Sequence, residues 1–175
     1  MIEGAGAGRR FDDEELPGQG TSEPELRSLG FVPLSIEVRR FLPTPEGMCC
    51  EWDTVGAVPE GPGHYLFTIE DGGEIRVAYA GLTVHLWMVT KGHLPRGGGA
   101  RPGQRYGRPK YAGVTRRRIN SLVAEQLGLG RRVRHWVRPL VHPPAAPSAI
   151  RAELLVGEEE LITRWRLREV GWNRG

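Results

Sequence analysis

The sequence predicts an α/β domain: a small three-stranded, mainly antiparallel sheet flanked by helices, with an extra N-terminal strand segment in front of it. Three observations predict it. Two short alternating runs, His64 to Glu70 and Glu74 to Ala80, are closed by Asp71-Gly72-Gly73, whose glycines can take the positive φ of a tight hairpin turn. A helical stripe runs from Thr115 to Leu127, followed by a third alternating run from Arg131 to Pro139. A second helix from Ala149 to about Arg166 closes the order.

The 175 residues are 39% hydrophobic, which suits one core with an appendage rather than two domains. Residues 1–30 are rich in Gly, Pro, Ser and acid side chains and lack a hydrophobic period. They read as a flexible acidic arm with one short helical turn around Glu23 to Leu29. Residues 31–58 form an extension packing on the domain: Leu34, Ile36 and Val38 alternate as a strand would, and Trp52 and Val55 are placed to pack beside the hairpin. Residues 59–175 make the main domain. Cys49 and Cys50 are adjacent, a spacing that suits neither a disulfide nor a zinc site, so they read as buried thiols. With no apolar run long enough for a membrane span and no signal-peptide layout, the expectation is a soluble, cytoplasmic protein.

The net charge of +3 is unevenly spread. Acid residues crowd the beginning, whereas Lys91 to Arg138 is a dense basic block with Glu125 alone against it. A polyanionic partner is the natural reading, and a solvated arginine-rich surface is the bland one. After the ambiguous apolar run from Leu82 to Gly92, residues 92–113 combine Gly, Pro and Arg with Tyr106 and Tyr111 and cannot build a core. Lys91, Arg96, Arg101, Arg105, Arg108, Lys110, Arg116 and Arg117 are the candidate phosphate contacts of a nucleic-acid interface.

In the Thr115 helix, Ile119, Leu122, Val123 and Leu127 fall on one face, with Thr115 as its cap and Gly128 as its end. The following strand alternates Val133, His135 and Val137 against Arg134, Trp136 and Arg138, which reads as one basic face. In the last helix, a turn of about 100° per residue gathers Ile150, Leu154, Leu155, Leu161, Ile162 and Trp165 into an apolar stripe with Glu158 in its middle. A carboxylate there costs several kcal/mol unless compensated. It is either a buried ion pair with an arginine or a metal ligand.

The lead-in from Pro59 to Tyr65, the tripeptides Gly63-His64-Tyr65 and Tyr79-Ala80-Gly81, and Glu158 followed by Leu161-Ile162 and Asn173 resemble the GIY-YIG endonuclease family. His64 and Ala80 stand where the family motifs have isoleucine, and the stretch from Ile162 to Asn173 lacks a proline and is slightly long. The resemblance spans about Pro59 to Asn173. It implies a GIY-YIG-like fold and a hydrolase that cuts DNA with Mg²⁺ or Mn²⁺. It further implies Tyr65, Tyr79, Arg118 and Glu158 as catalytic residues, with Glu158 as the metal ligand.

Arg118 precedes Ile119 as the family's arginine precedes its apolar residue, and Arg116 is the geometric alternative. Leu122 stands where many members carry a histidine or tyrosine, so a helper group would come from elsewhere, with His85 and Asn173 as candidates alongside His64 and Lys91. A duplex substrate cut on both strands would be served most simply by a homodimer. The competing reading is a catalytically weak nucleic-acid-binding module with tyrosines that merely pack.

Overall fold

A computed structural model describes residues 15–44, 47–90 and 109–174, with side chains from residue 117 onward in the last stretch. Its strands are β1 Gln19–Thr21, β2 Val32–Thr44, β3 Gly47–Val55, β4 Gly63–Asp71, β5 Glu74–Thr83 and β6 Arg132–Pro139. The helices are α1 Glu23–Ser28, α2 Leu86–Val89, α3 Pro109–Gly128 and α4 Pro147–Arg164. All six strands join one sheet in the order β1-β5-β4-β6-β2-β3, and every pairing is antiparallel.

This corrects the three-stranded sheet expected from the sequence. The hairpin β4–β5 and strand β6 occupy the middle, but β6 uses its second edge to pair with β2, from Val32↔Val137 to Ser35↔Arg134. The stretch read as an N-terminal extension is therefore continuous with the sheet, since a strand with both edges paired leaves no unsatisfied ladder groups. The hairpin turn itself forms as expected, with Gly72 and Gly73 at φ 55 and 84 between the paired Asp71 and Glu74.

Residues 15–30, read as part of a flexible arm, are also built into the fold. Gln19–Thr21 pairs with Ile75–Val77, and α1 buries Leu26 completely. The Ser22 hydroxyl accepts the Glu25 N–H as the cap of α1, which matches the helical turn expected there. Residues 1–14 lie outside the described residues.

The two larger cores lie one on each face, because alternate residues of a strand point to opposite sides, and a smaller cluster joins Leu34, Leu86 and Val137. Leu66, Val77, Ala80 and Trp136 pack with Leu26 of α1 and with Leu161, Ile162 and Trp165 at the end of α4. Phe67, Ile69, Ala78 and Val133 pack with Trp52, Cys50 and with Ile119, Val123 and Ala124 of α3. Trp52 meets Phe67 edge-on at 5.7 Å, as expected, whereas Val55 stays 56% exposed and does not pack on the hairpin.

The thiols of Cys49 and Cys50 are buried against the backbone of α3, donating to the carbonyls of Arg117 and Asn120. Burial pushes the Cys50 thiol up to about 12, with the neighbouring Cys49 adding to it.

α3 begins at Pro109 rather than Thr115, so the end of the expected loop is helical and Thr115 is no cap. A proline fits the first turn of a helix, where its missing N–H has no intrahelical partner. α4 ends with Arg166 at φ 50, where the Leu167 N–H reaches the Ile162 carbonyl and the Arg166 N–H reaches the Thr163 carbonyl. This pair of bonds closes the helix, and Leu167 and Ile162 are buried in the same core.

Candidate active site

The outer edge of β5 organises the site. β1 covers it only as far as Val77, and the next three outward-facing peptide groups are satisfied in other ways. The Ala78 carbonyl accepts the Trp172 N–H at 2.6 Å. At Ala80 the Asn173 amide does the work of a strand, its Oδ1 accepting the Ala80 N–H at 3.0 Å and its Nδ2 donating to the Ala80 carbonyl at 2.8 Å. At Leu82 the backbone faces the Glu158 carboxylate and favours its charged form. Residues 78, 80 and 82 share one side of the strand, so Asn173 and Glu158 become neighbours along an edge that would otherwise be open.

Tyr79 projects from this strand beside a bulge, since Phe67 pairs with Tyr79 and Thr68 with Val77, leaving Ala78 as the extra residue. Bulges re-aim adjacent side chains. The Tyr79 ring lies 5.9 Å from that of Tyr65, close enough for the Tyr65 hydroxyl to favour the charged form of the Tyr79 phenol. Tyr65 can lie across β5 because Gly81 has no side chain: a Cβ there would sit 2.4 Å from the ring. The opposite side of Tyr65 stacks on His135 at 5.4 Å. His135 is fully buried and burial holds it neutral, pushed down to about 3.

Burial pushes the Tyr79 phenol above its ordinary range; the Tyr65 hydroxyl works against this, the Glu158 charge adds to it, and the Arg118 charge opposes it. Tyr79 is thus a neutral phenol within the fields of both charged groups. Arg118 reaches the same region from α3, its Nη1 donating to the Trp172 carbonyl at 2.9 Å.

Glu158 is half-buried, and burial raises its carboxyl, with the adjacent Glu159 charge adding to the effect. Arg168 opposes this from a distance while its own guanidinium grips Glu159 with two contacts of 2.6 Å. The buried ion pair weighed as an alternative is therefore not what holds Glu158 among the described residues. What holds the helix carrying it is Gly157, which lies over the His64 ring. His64 is buried on the α4 side, bonded through Nε2 to the Leu154 carbonyl and through Nδ1 to Arg138. It therefore supports α4 and does not assist the tyrosines. Arg138 is expected from the sequence only as part of a basic face, and Gly157 is not singled out there, although a lone glycine inside an apolar helical stripe signals close approach of a neighbouring element.

The remaining expectations separate. His85 stands exposed at the start of α2 with its ring 6.4 Å from Trp87, and no contact joins it to the tyrosines among the described residues. Arg117 is half-buried on α3. Lys91, Arg96, Arg101, Arg105 and Arg108 lie outside the described residues, as do the side chains of Lys110 and Arg116.

The basic face expected on β6 is a correction: Arg134 pairs with Glu70 at 2.8 Å and Glu23 at 3.3 Å, and Arg138 lies over Phe31 and bonds to His64. With β2 and β4 on either side of β6, Arg134 is paired with acids, while Arg138 donates to the Leu29 carbonyl and meets His64 and Phe31.

No cluster of three or more metal-ligating side chains occurs among the described residues. The donor set still fits a hydrated hard cation, which binds through one or two carboxylates and keeps its waters. Glu158 is such a carboxylate, half-buried on α4. No helix of the described residues is long and apolar enough to cross a membrane. Compared with known proteins, the chain matches no family model, no curated protein and no solved structure.

Proposed function

We propose that this protein is a divalent-metal-dependent endonuclease that hydrolyses phosphodiester bonds in DNA and acts in the cytoplasm. One observation carries the reading: Tyr79 stands 5.9 Å from Tyr65 on the strand edge clasped by Asn173, and Arg118 is tied to the carbonyl of the adjoining residue, Trp172. A phosphodiester resists attack through its negative charge, so its hydrolysis needs charge neutralisation, an oriented water and a stabilised leaving oxygen.

Each task has a residue here. Arg118 offers the N–H groups not used on Trp172 to a phosphate oxygen and offsets the charge that develops there. Tyr79 and Tyr65 form a hydroxyl pair that orients the attacking water. Burial keeps Tyr79 protonated, which suits it to hold a water rather than to deprotonate it. Glu158 would hold Mg²⁺ or Mn²⁺, and when bound that ion lowers the pKa of water and polarises the phosphate. Asn173 positions the tyrosine strand by clasping Ala80 between Tyr79 and Gly81.

The raised pKa of Tyr79 favours one alternative, a nucleic-acid-binding module of weak catalytic power on the same residues. Supercoiled plasmid incubated with Mg²⁺, Mn²⁺ or EDTA separates the two. The nuclease reading expects nicked or linear product with metal, none in EDTA, and none from Glu158→Ala despite retained DNA binding. Wild-type protein that binds the plasmid yet never nicks it overturns the nuclease in favour of the module.

A further inference from the structure

Beside the segment from Leu167 to Arg174 lies a cavity of about 470 Å³ lined by Arg118, Leu122, Arg168, Trp172, Asn173 and Arg174. Three of these residues are cationic and none is acidic. The Arg118 and Arg174 guanidiniums repel each other across this space: after burial, the Arg174 charge is the next cause lowering the pKa of Arg118. Arg118 is kept from turning away by its bond to the Trp172 carbonyl, and Arg168 is held at the rim by Glu159. The anchored Arg118 and the exposed Arg174 line one cavity and together form a receptor for an anion with several oxygens, because a planar guanidinium donates to phosphate in a fork.

On β6, Arg134 is paired with Glu70 and Glu23 inside the fold, and the exposed Arg132 also reaches Glu70. We propose that this cavity is a subsite for the sugar-phosphate backbone of a nucleic-acid strand, in which Arg174 holds the phosphate next to the one gripped by Arg118. The inference rests on the nuclease reading for the role of Arg118 but is tested on binding alone.

The test measures affinity for a short fluorescent DNA duplex in EDTA by anisotropy across a salt series. It compares the wild type with Arg174→Ala, Arg174→Lys and Arg39→Ala, the last removing an equal charge from β2, where Arg39 pairs with Asp53. Arg174→Ala should bind roughly fivefold more weakly at moderate salt and lower the slope of log affinity against log salt by about 1. Arg174→Lys should keep the slope, and Arg39→Ala should keep both. Arg174→Ala matching the wild type, or Arg39→Ala losing as much as Arg174→Ala, overturns the subsite. Because the binding assay contains no metal, absence of plasmid cleavage elsewhere would reject the nuclease reading while a reduced Arg174→Ala slope still supports the subsite. Intact cleavage with an unchanged slope would reject the subsite alone.

Discussion

Gly157 of α4 rests directly on the His64 ring of β4: a Cβ on Gly157 would lie 2.5 Å from Cε1 and 2.6 Å from Nε2. The ring cannot swing aside without cost, because both nitrogens are bonded, at 2.9 Å to Leu154 and 3.2 Å to Arg138. The contact sets the height of α4 above the sheet, and with it the reach of Glu158 to Leu82.

Gly157→Ala should therefore destabilise the fold despite placing a better helix former in α4. Helix propensity favours alanine by about 1 kcal/mol, whereas overpacking a tight contact costs about 1–3 kcal/mol. Thermal unfolding should show a lower Tm, and His64→Ala in the same chain should relieve part of the loss by removing the ring. A Gly157→Ala variant with a raised Tm would mean that α4 has room to spare.

Glu158→Gln should stabilise the protein at neutral pH while abolishing metal-dependent cleavage. Burial raises the Glu158 carboxyl above its ordinary value of 4.5, so the folded state holds this proton more tightly than the unfolded chain. Its contribution to stability is full below about 4.5 and is lost as pH rises through the raised value. The gain in Tm from glutamine should vanish in acid and reach a plateau above that window. Equal gains at all pH values would place the carboxylate in an environment like bulk water.

Replacing Arg118 with alanine should slow cleavage by about a hundredfold or more, because it removes a donor aimed at charge that develops during reaction. Arg118→Lys should recover little, since a lysine lacks the fork that reaches both Trp172 and a phosphate. Single-turnover rates on a plasmid substrate, with circular dichroism to verify folding, decide this. An unchanged rate would move the role to Arg116.

Asn173→Ala should cost about 1–2 kcal/mol, the sum expected for two hydrogen bonds, by uncovering the Ala80 peptide. Asn173→Asp is the sharper probe. The carboxylate it introduces can accept the Ala80 N–H but repels the Ala80 carbonyl, so chemical denaturation should place Asn173→Asp below the wild type by as much as Asn173→Ala. If the aspartate variant matches the wild type, the bond to the Ala80 carbonyl contributes nothing.

The local elements were legible in the residues themselves. Asp71-Gly72-Gly73 between two alternating runs specifies a hairpin because its turn needs positive φ, and the stripe around Glu158 specifies a helix with one acid out of place, although Leu155 of that stripe turns out exposed. Those signals are carried by neighbours in the chain, so periodicity alone exposes them. The pairing of β6 with β2 and of β1 with β5, the compensation of Arg134 by Glu70 and Glu23, and the seat of Gly157 on His64 were decided by tertiary structure. Each joins residues far apart in sequence, and many partners are equally compatible with any one strand edge or arginine until the chain is folded. The acid at 158 announced itself through its misplacement on a helix face, but only the folded chain set it against the Leu82 backbone at the edge of β5.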